Sequence, residues 1–391
     1  MAVEIVAFPR SKRSLNDSIT SAIFAFTNRL YRIQPRGLAP DKDSIARALG
    51  AHSQSAQRTF FAYDTQHDAK HDADFVSGIV ATVTASVSST LTDRDGQPVG
   101  LLGLFHAMES PEPVKQLFHA ATKWLRSLRC RSIVGPVDGS TWHSYRINVG
   151  PFDENPHNDG PFLLEPQNPN YYSHLFLGSG FEVVQQYRSL RVDDILAASH
   201  SLLPSYESAS NSGYTFRSFD SASFESELKT IYELSKEIFR ENFLYEDISW
   251  REFSGLYQRL QHFIREELIW FAVDREGNEV GFLFAMPDYF NAVRAMKGKR
   301  NWIAKIRFTL KARQANTINF KSVGVIPSHR RNRLASAMMY LAYAESHKKG
   351  FRIANLCLIG DGNCSARLDG GNSRILRRYE LYQMQGSRLV D

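Results

Sequence analysis

The stretch that most constrains this chain runs from Val323 to Ala335, reading VGVIPSHRRNRLA. Val323 and Val325 alternate as one face of a strand does, and Pro327 ends the ladder because it has no N–H to donate. Leu334, Ala337, Met338, Leu341 and Ala342 then recur at helical spacing, so a helix begins near Arg333. A strand that turns straight into a helix through a basic loop is an α/β unit. The first turn of such a helix presents backbone N–H groups outside the helix ladder and a positive dipole end. Arg330, Arg331 and Arg333 add side-chain charge there. The stretch therefore reads either as a cradle for a pyrophosphate or as an exposed basic turn.

Charge sharpens the choice. The chain of 391 residues has a formal net charge of +6, yet twelve Lys or Arg and no Asp or Glu fall between Tyr289 and Ala344. The rest is net acidic, so the basic character surrounds the loop, which favours an anionic ligand or partner there over general nucleic-acid coating. No run approaches a membrane span, and Met1–Leu15 lacks the apolar core of a signal peptide. The expected setting is cytoplasmic, with no membrane partner. Cys130, Cys357 and Cys364 have unrelated spacings and suggest neither a disulfide framework nor a metal. His67 and His71, with Asp68 and Asp72, have an i, i+4 spacing but no evident third ligand, so no metal site is expected. No Gly-x-Ser-x-Gly elbow is present, which argues against a serine hydrolase.

Glycine turns lead into a closing strand twice, at Gly180-Phe181 before Gln185–Leu190 and at Gly370-Gly371 before Arg377–Tyr382. Two tandem units are the simplest account, residues 1–192 and 213–391, with the polar, Ser-rich 193–212 as linker. A second echo, Asp93-Arg94-x-Gly96-x-x-Val99-Gly100 against Asp274-Arg275-x-Gly277-x-x-Val280-Gly281, reads as shared turn chemistry rather than equivalent strands. Residues 138–170, rich in Gly, Pro, Asn and aromatics, form a long loop of the kind that carries function. Residues 294–313 read as one basic amphipathic helix with Trp302, Ile303, Ile306 and Leu310 on its apolar side.

The pattern Val325-x-Pro327-x-x-Arg330-x-x-x-x-Ala335 after a strand resembles the acyl-CoA loop of the GCN5-related N-acetyltransferases, the GNAT superfamily. That loop usually reads Gln/Arg-x-x-Gly-x-Gly/Ala; Arg330 fits the first position, Ala335 the last, and Arg333 replaces the middle glycine. The run Gly100–Arg126, then Gly135-Pro136, Ser140, Asn168-Pro169-x-Tyr171-Tyr172 and Gly180-Phe181, resembles bacterial GNAT-like proteins with a degenerate first unit. The resemblance implies an α/β fold of two tandem GNAT-like units, with mixed, mostly antiparallel sheets flanked by helices. It implies acetyl-CoA or another acyl-CoA as co-substrate, held by Val323, Gly324, Val325 and Arg330, Arg331, Asn332, Arg333, Leu334 and Ala335. Glu109–Gln116 lacks such a signature, so the first unit is expected to hold no cofactor.

Acyl transfer to an amine also needs an oxyanion donor, expected among the N–H groups of Val323–Val325, and an acid for the leaving thiolate. Tyr379 has the spacing of the superfamily's acid if Asn372–Glu380 is a helix. The alternation of Ile375, Arg377, Tyr379 and Leu381 favours a closing strand instead, which brings Asn363 to the thioester. Both stand as catalytic candidates. Trp142, His143, Tyr145 and Arg146 read either as a substrate-pocket wall or as loop packing. The acceptor class is an amine of a small molecule or peptide. An acyl carrier protein on the basic helix, an aminoacyl-tRNA as in Fem-type transferases, or a non-catalytic binding role remain the alternatives.

Overall fold

The computed structural model describes residues 2–9, 13–33, 39–50, 56–66, 76–151, 161–258, 261, 264–299, 301–362 and 364–386. His67, Asp68, His71, Asp72 and Asn363 lie outside them. The strands are β1 (Val3–Pro9), β2 (Gln57–Asp64), β3 (Ile79–Thr92), β4 (Pro98–Ala107), β5 (Ser132–Gly135), β6 (Ile147–Gly150), β7 (Glu182–Val192), β8 (Thr215–Ser218), β9 (Ile269–Val273), β10 (Glu279–Pro287), β11 (Thr317–Val325), β12 (Ile353–Gly360) and β13 (Ser373–Gln385). The α-helices are α1 (Arg13–Ile33), α2 (Lys42–Gly50), α3 (Pro111–Ser127), α4 (Tyr172–Leu177), α5 (Ile195–Asn211), α6 (Phe224–Ile238), α7 (Trp250–Tyr257), α8 (Phe290–Ala295), α9 (Trp302–Ala312) and α10 (Leu334–Lys348).

Among the described residues all the strands join one sheet, ordered β1-β2-β3-β4-β5-β13-β7-β12-β11-β10-β9-β8, with β6 beside β13. Each half has the same plan. β1 to β4 run antiparallel, then α3 crosses over and β5 returns parallel to β4. β8 to β11 run antiparallel, then α10 crosses over and β12 returns parallel to β11. The closing strands are exchanged between halves: β13 pairs with β5, and β7 pairs with β12. Packing follows the exchange. Tyr382 of β13 is fully buried against Phe176, ring centroids 5.1 Å apart, in the first-half core with Phe105, Phe118 and Phe181. Leu190 and Val192 of β7 sit in the second-half core with Leu283, Phe320, Met338 and Ala342.

The two echoes separate as expected. The Asp93 carboxylate accepts from the N–H groups of Asp95 and Gln97, and that of Asp274 accepts from Glu276 and Asn278, so the turn chemistry is shared. The strands that follow differ in place, since β4 borders a parallel partner and β10 does not. The glycine turns do lead into the exchanged closing strands, β7 and β13.

Two expectations change. The Ser-rich stretch read as a linker is mostly helix α5, N-capped by Asp194 and packed on α10. Its serines mask a helical stripe of Ile195, Ala198, Leu202 and Ala209, all buried. The basic stretch read as one helix is two, α8 and α9, because Lys297 and Gly298 take left-handed backbone and Asn301 starts α9 anew, its side chain accepting from the Ala304 N–H. No helix among the described residues is long and apolar enough to cross a membrane.

Candidate active site

β11 and β12 pair in parallel from Thr317↔Ile353 to Phe320↔Leu356 and then diverge, although both strands continue. β11 also slips register against β10 at this point, leaving Lys321 as an extra residue between Phe320 and Ser322. Between the diverging strands lies a cleft of about 600 Å³. Its walls include Lys321, Ser322 and Val323 from β11 and Cys357 to Gly360 from β12.

The ladder fixes which backbone groups face this cleft. The Ile326 N–H donates to Val280 O, so Gly324 and Ser322, in the same phase, bond toward β10. The groups of Val323 and Val325 therefore point to the side that β12 has left. The Val325 carbonyl on that side accepts from Arg330 Nε at 3.3 Å.

The loop beyond β11 is a 3₁₀ turn, Pro327–Asn332, followed by Arg333 with φ of 58°. The residue standing at the superfamily's glycine position thus adopts the left-handed backbone that glycine takes without penalty. The first bond of α10 runs from Ala337 N–H to Arg333 O, which leaves the N–H groups of Leu334, Ala335 and Ser336 outside the helix ladder. Arg331 and Arg333 are exposed. Arg330 turns away, donating to Ile238 O at 3.2 Å and to Glu241 at 3.3 Å, and so ties the loop to the C-terminal end of α6. Asn332 donates to the Tyr214 hydroxyl, which also contacts His329 Nδ1 at 2.9 Å.

The opposite wall comes from the first half. Trp142, His143, Tyr145 and Arg146 all line the cleft. Arg146 lies between the rings of Tyr145 and Tyr187, 3.7 and 4.0 Å from their centroids, and donates to Leu358 O at 3.2 Å. The Trp142 indole N–H donates to Glu246 O at 2.8 Å and its ring meets Phe253 edge-on. His143 Nδ1 is 3.2 Å from Ser140 Oγ, and its Nε2 is 4.0 Å from a Glu252 carboxylate oxygen.

Tyr379 falls elsewhere. It lies in β13, as the alternating pattern indicates, and is fully buried. Its hydroxyl donates to Glu165 at 2.6 Å and contacts Ser189 at 3.1 Å, and it is not among the cleft-lining residues. Burial and the neighbouring Glu165 raise its pKa well above the ordinary phenol value. Burial likewise raises Glu165, opposed by Arg377 and the Tyr379 bond. Glu165 and Tyr187 carry no sequence signal for these contacts, since Glu165 meets Tyr379, 214 residues away, and Tyr187 meets Arg146 from a separate loop. Burial pushes the Cys357 thiol up to about 12, which removes it as a nucleophile at neutral pH. Among the described residues no group of three or more His, Cys, Asp or Glu could hold a metal.

A helix-crossed parallel pair built twice along one chain, splayed over a cleft in the second half, is the frame of the tandem GNAT fold. No family model matches the chain. A curated relative, the bacterial ceramide synthase of Caulobacter vibrioides, is 24% identical over 234 residues, which span 59% of each chain. Among solved structures, a tandem GNAT protein from the clavulanic acid biosynthesis pathway aligns at a TM-score of 0.51 and 11% identity over 98% of this chain and 99% of that one. A GCN5-related glucosamine N-acetyltransferase region of a fungal multi-domain GH3 β-N-acetylglucosaminidase aligns at 0.51 and 14% identity, covering 98% of this chain and 38% of that one.

Proposed function

We propose that this chain is an N-acyltransferase whose donor, acetyl-CoA or another acyl-CoA, lies in the cleft between β11 and β12. The observation that carries this reading is the splay itself, which opens a cleft past Val323 of β11 and Met339 of α10 to the first-half wall. The donor pyrophosphate rests on the N–H groups of Leu334, Ala335 and Ser336, with Arg331 adding charge. The thioester oxygen is held by the Val323 N–H. The acceptor amine enters along Trp142, Tyr145 and Arg146 and passes its proton to His143, the one imidazole lining the cleft among the described residues. The amine nitrogen then bonds to the thioester carbon, the C–S bond breaks, and the thiolate takes a proton from water.

Division into a cofactor-free unit, 1–192, and a donor-binding unit, 213–391, belongs to this proposal. A pyrophosphate cradle favours coenzyme A over an acyl carrier protein, whose phosphopantetheine brings a single phosphate, and over tRNA. The Caulobacter relative, named for making ceramide, supports a long-chain amine as the first acceptor to test. The test is thiol release from acetyl-CoA and longer acyl-CoAs, with and without such amines. Amine-dependent release is expected. No release with any acyl-CoA, against turnover with a charged carrier protein or tRNA, would reject the donor.

A further inference from the structure

The arm between β10 and β11 carries a helix with two apolar faces. In α9 the stripe Ala304, Phe308 and Ala312 turns inward: Ala304 is buried, and Phe308 meets Tyr289 at 5.6 Å. At about 100° per residue, Trp302, Ile303, Ile306 and Leu310 fall in an arc of about 100° on the far side. All four are exposed, Trp302 by 71% and Leu310 by 56%. Scattered exposed apolar residues are ordinary, whereas four on one face of an eleven-residue helix form a patch. Lys305 and Arg307 flank the arc on either side, and Lys311 follows.

A second apolar side chain stands at the root of this arm. Leu164 is 59% exposed and has a left-handed backbone, φ 64°. The preceding Leu163 N–H donates to Asp288 Oδ1, which also accepts from the Phe290 N–H at the start of α8. The Leu163 carbonyl takes the Lys321 ammonium at 2.6 Å. Leu164 is thus presented by a fixed loop beside the arm.

The charge pattern selects the occupant. A second copy would set Lys305, Arg307 and Lys311 against their own like. A purely charge-matched protein surface would leave Trp302, Ile306 and Leu310 without a counterpart. An anionic bilayer offers both chemistries, phosphates for the flanking cations and an acyl boundary for the arc, with Trp suited to the interface. We propose that α9 docks on an anionic membrane surface, with Trp302, Ile303, Ile306 and Leu310 in the headgroup–acyl boundary. This reverses the expectation of no membrane partner. It stands on the helix and not on the acyl-transfer reading, and a bilayer would be a local source of any long-chain acceptor.

The test is co-sedimentation of the full chain with phosphatidylglycerol-containing vesicles and with phosphatidylcholine vesicles alone. Binding is expected to the anionic vesicles and to weaken with added salt. The variant Trp302→Ser/Ile306→Ser/Leu310→Ser should lose it while keeping its circular dichroism spectrum. Lys305→Ala/Arg307→Ala/Lys311→Ala should weaken it about a hundredfold, since each cation near an anionic surface contributes about fivefold. No binding to anionic vesicles, or undiminished binding by the apolar triple variant, would overturn the proposal. So would a dimer in solution that the apolar variant dissociates, or binding of an acidic carrier protein lost in both variants while vesicles are ignored. None of these outcomes reads thiol release, so the two proposals fail separately.

Discussion

The two halves of this molecule share a frame and differ in what stands between their parallel strands. In the second half β11 and β12 part after Phe320 and Leu356 and leave a cleft. In the first, β4 and β5 part after Leu101 and Val134, but the chain folds back into the gap. The Val137 N–H donates to Leu102 O at 2.7 Å, and the Asp138 carboxylate accepts from the Leu104 N–H at 2.6 Å. A Cβ on Gly103 would stand 2.1 Å from the Val137 carbonyl, so that backbone already occupies the space. The crossing helices differ in the same sense. α3 opens with Pro111 and Pro113, which have no N–H, and with Glu112; α10 opens with Leu334, Ala335 and Ser336 beside three arginines. On the proposed reading, one frame holds the donor where the gap is left open and gives structural support where it is filled.

The largest expected effect lies in the open half. Val323→Pro removes an N–H that the ladder phase directs away from β10, so the sheet should tolerate it. Turnover, read by thiol release, should fall about 10²- to 10³-fold, as for loss of an oxyanion donor. An unchanged rate would move the oxyanion site off this strand. Next comes a paired stability measurement. Gly103→Ala in the filled gap should cost ~3 kcal/mol by denaturant unfolding, through overpacking against backbone. Ser322→Ala on the cleft wall should cost less than ~1 kcal/mol. Equal costs would mean the gaps are filled alike.

Asp138 gives the pH signature of the filled gap. Burial outweighs the Leu104 bond and holds its carboxyl at about 6, above the usual 3.8. A raised carboxyl leaves stability intact below about pH 4 and erodes it as pH rises through 6. Asp138→Asn should therefore match the parent near pH 4 and exceed it by about 3 kcal/mol at pH 7–8, measured by melting across pH. His106, held down to about 4 by burial, is common to both proteins and cancels in that difference. The smallest effect is at the loop. Arg333→Gly relieves a left-handed backbone at φ 58° and should add about 1 kcal/mol of stability without weakening acyl-CoA affinity. A loss of affinity would make Arg333 itself a ligand.

What the sequence disclosed follows the range of the interactions. The strand, proline, basic loop and helix at Val323–Ala335 were legible because alternation, a missing N–H and helical spacing are local. The left-handed Arg333 followed from its place at the glycine position only once the backbone was seen. The use of Arg330 was not legible, because Ile238 O and Glu241 are about ninety residues away in sequence. Exchange of β7 and β13 was hidden for the same reason, since glycine turns mark a closing strand but not its neighbour. α5 was hidden by composition, its serines outnumbering the buried stripe. The apolar side of α9 was legible in the sequence but its outward direction was not, because periodicity shows that a stripe exists and not what covers it.

The central claim, one open gap and one filled, is tested most directly by calorimetric titration of acyl-CoA into the full chain and into Ser322→Trp, whose indole would fill the cleft. The account predicts a single site per chain, lost in Ser322→Trp without loss of its melting transition. Two sites per chain, or one that survives Ser322→Trp undiminished, would contradict it.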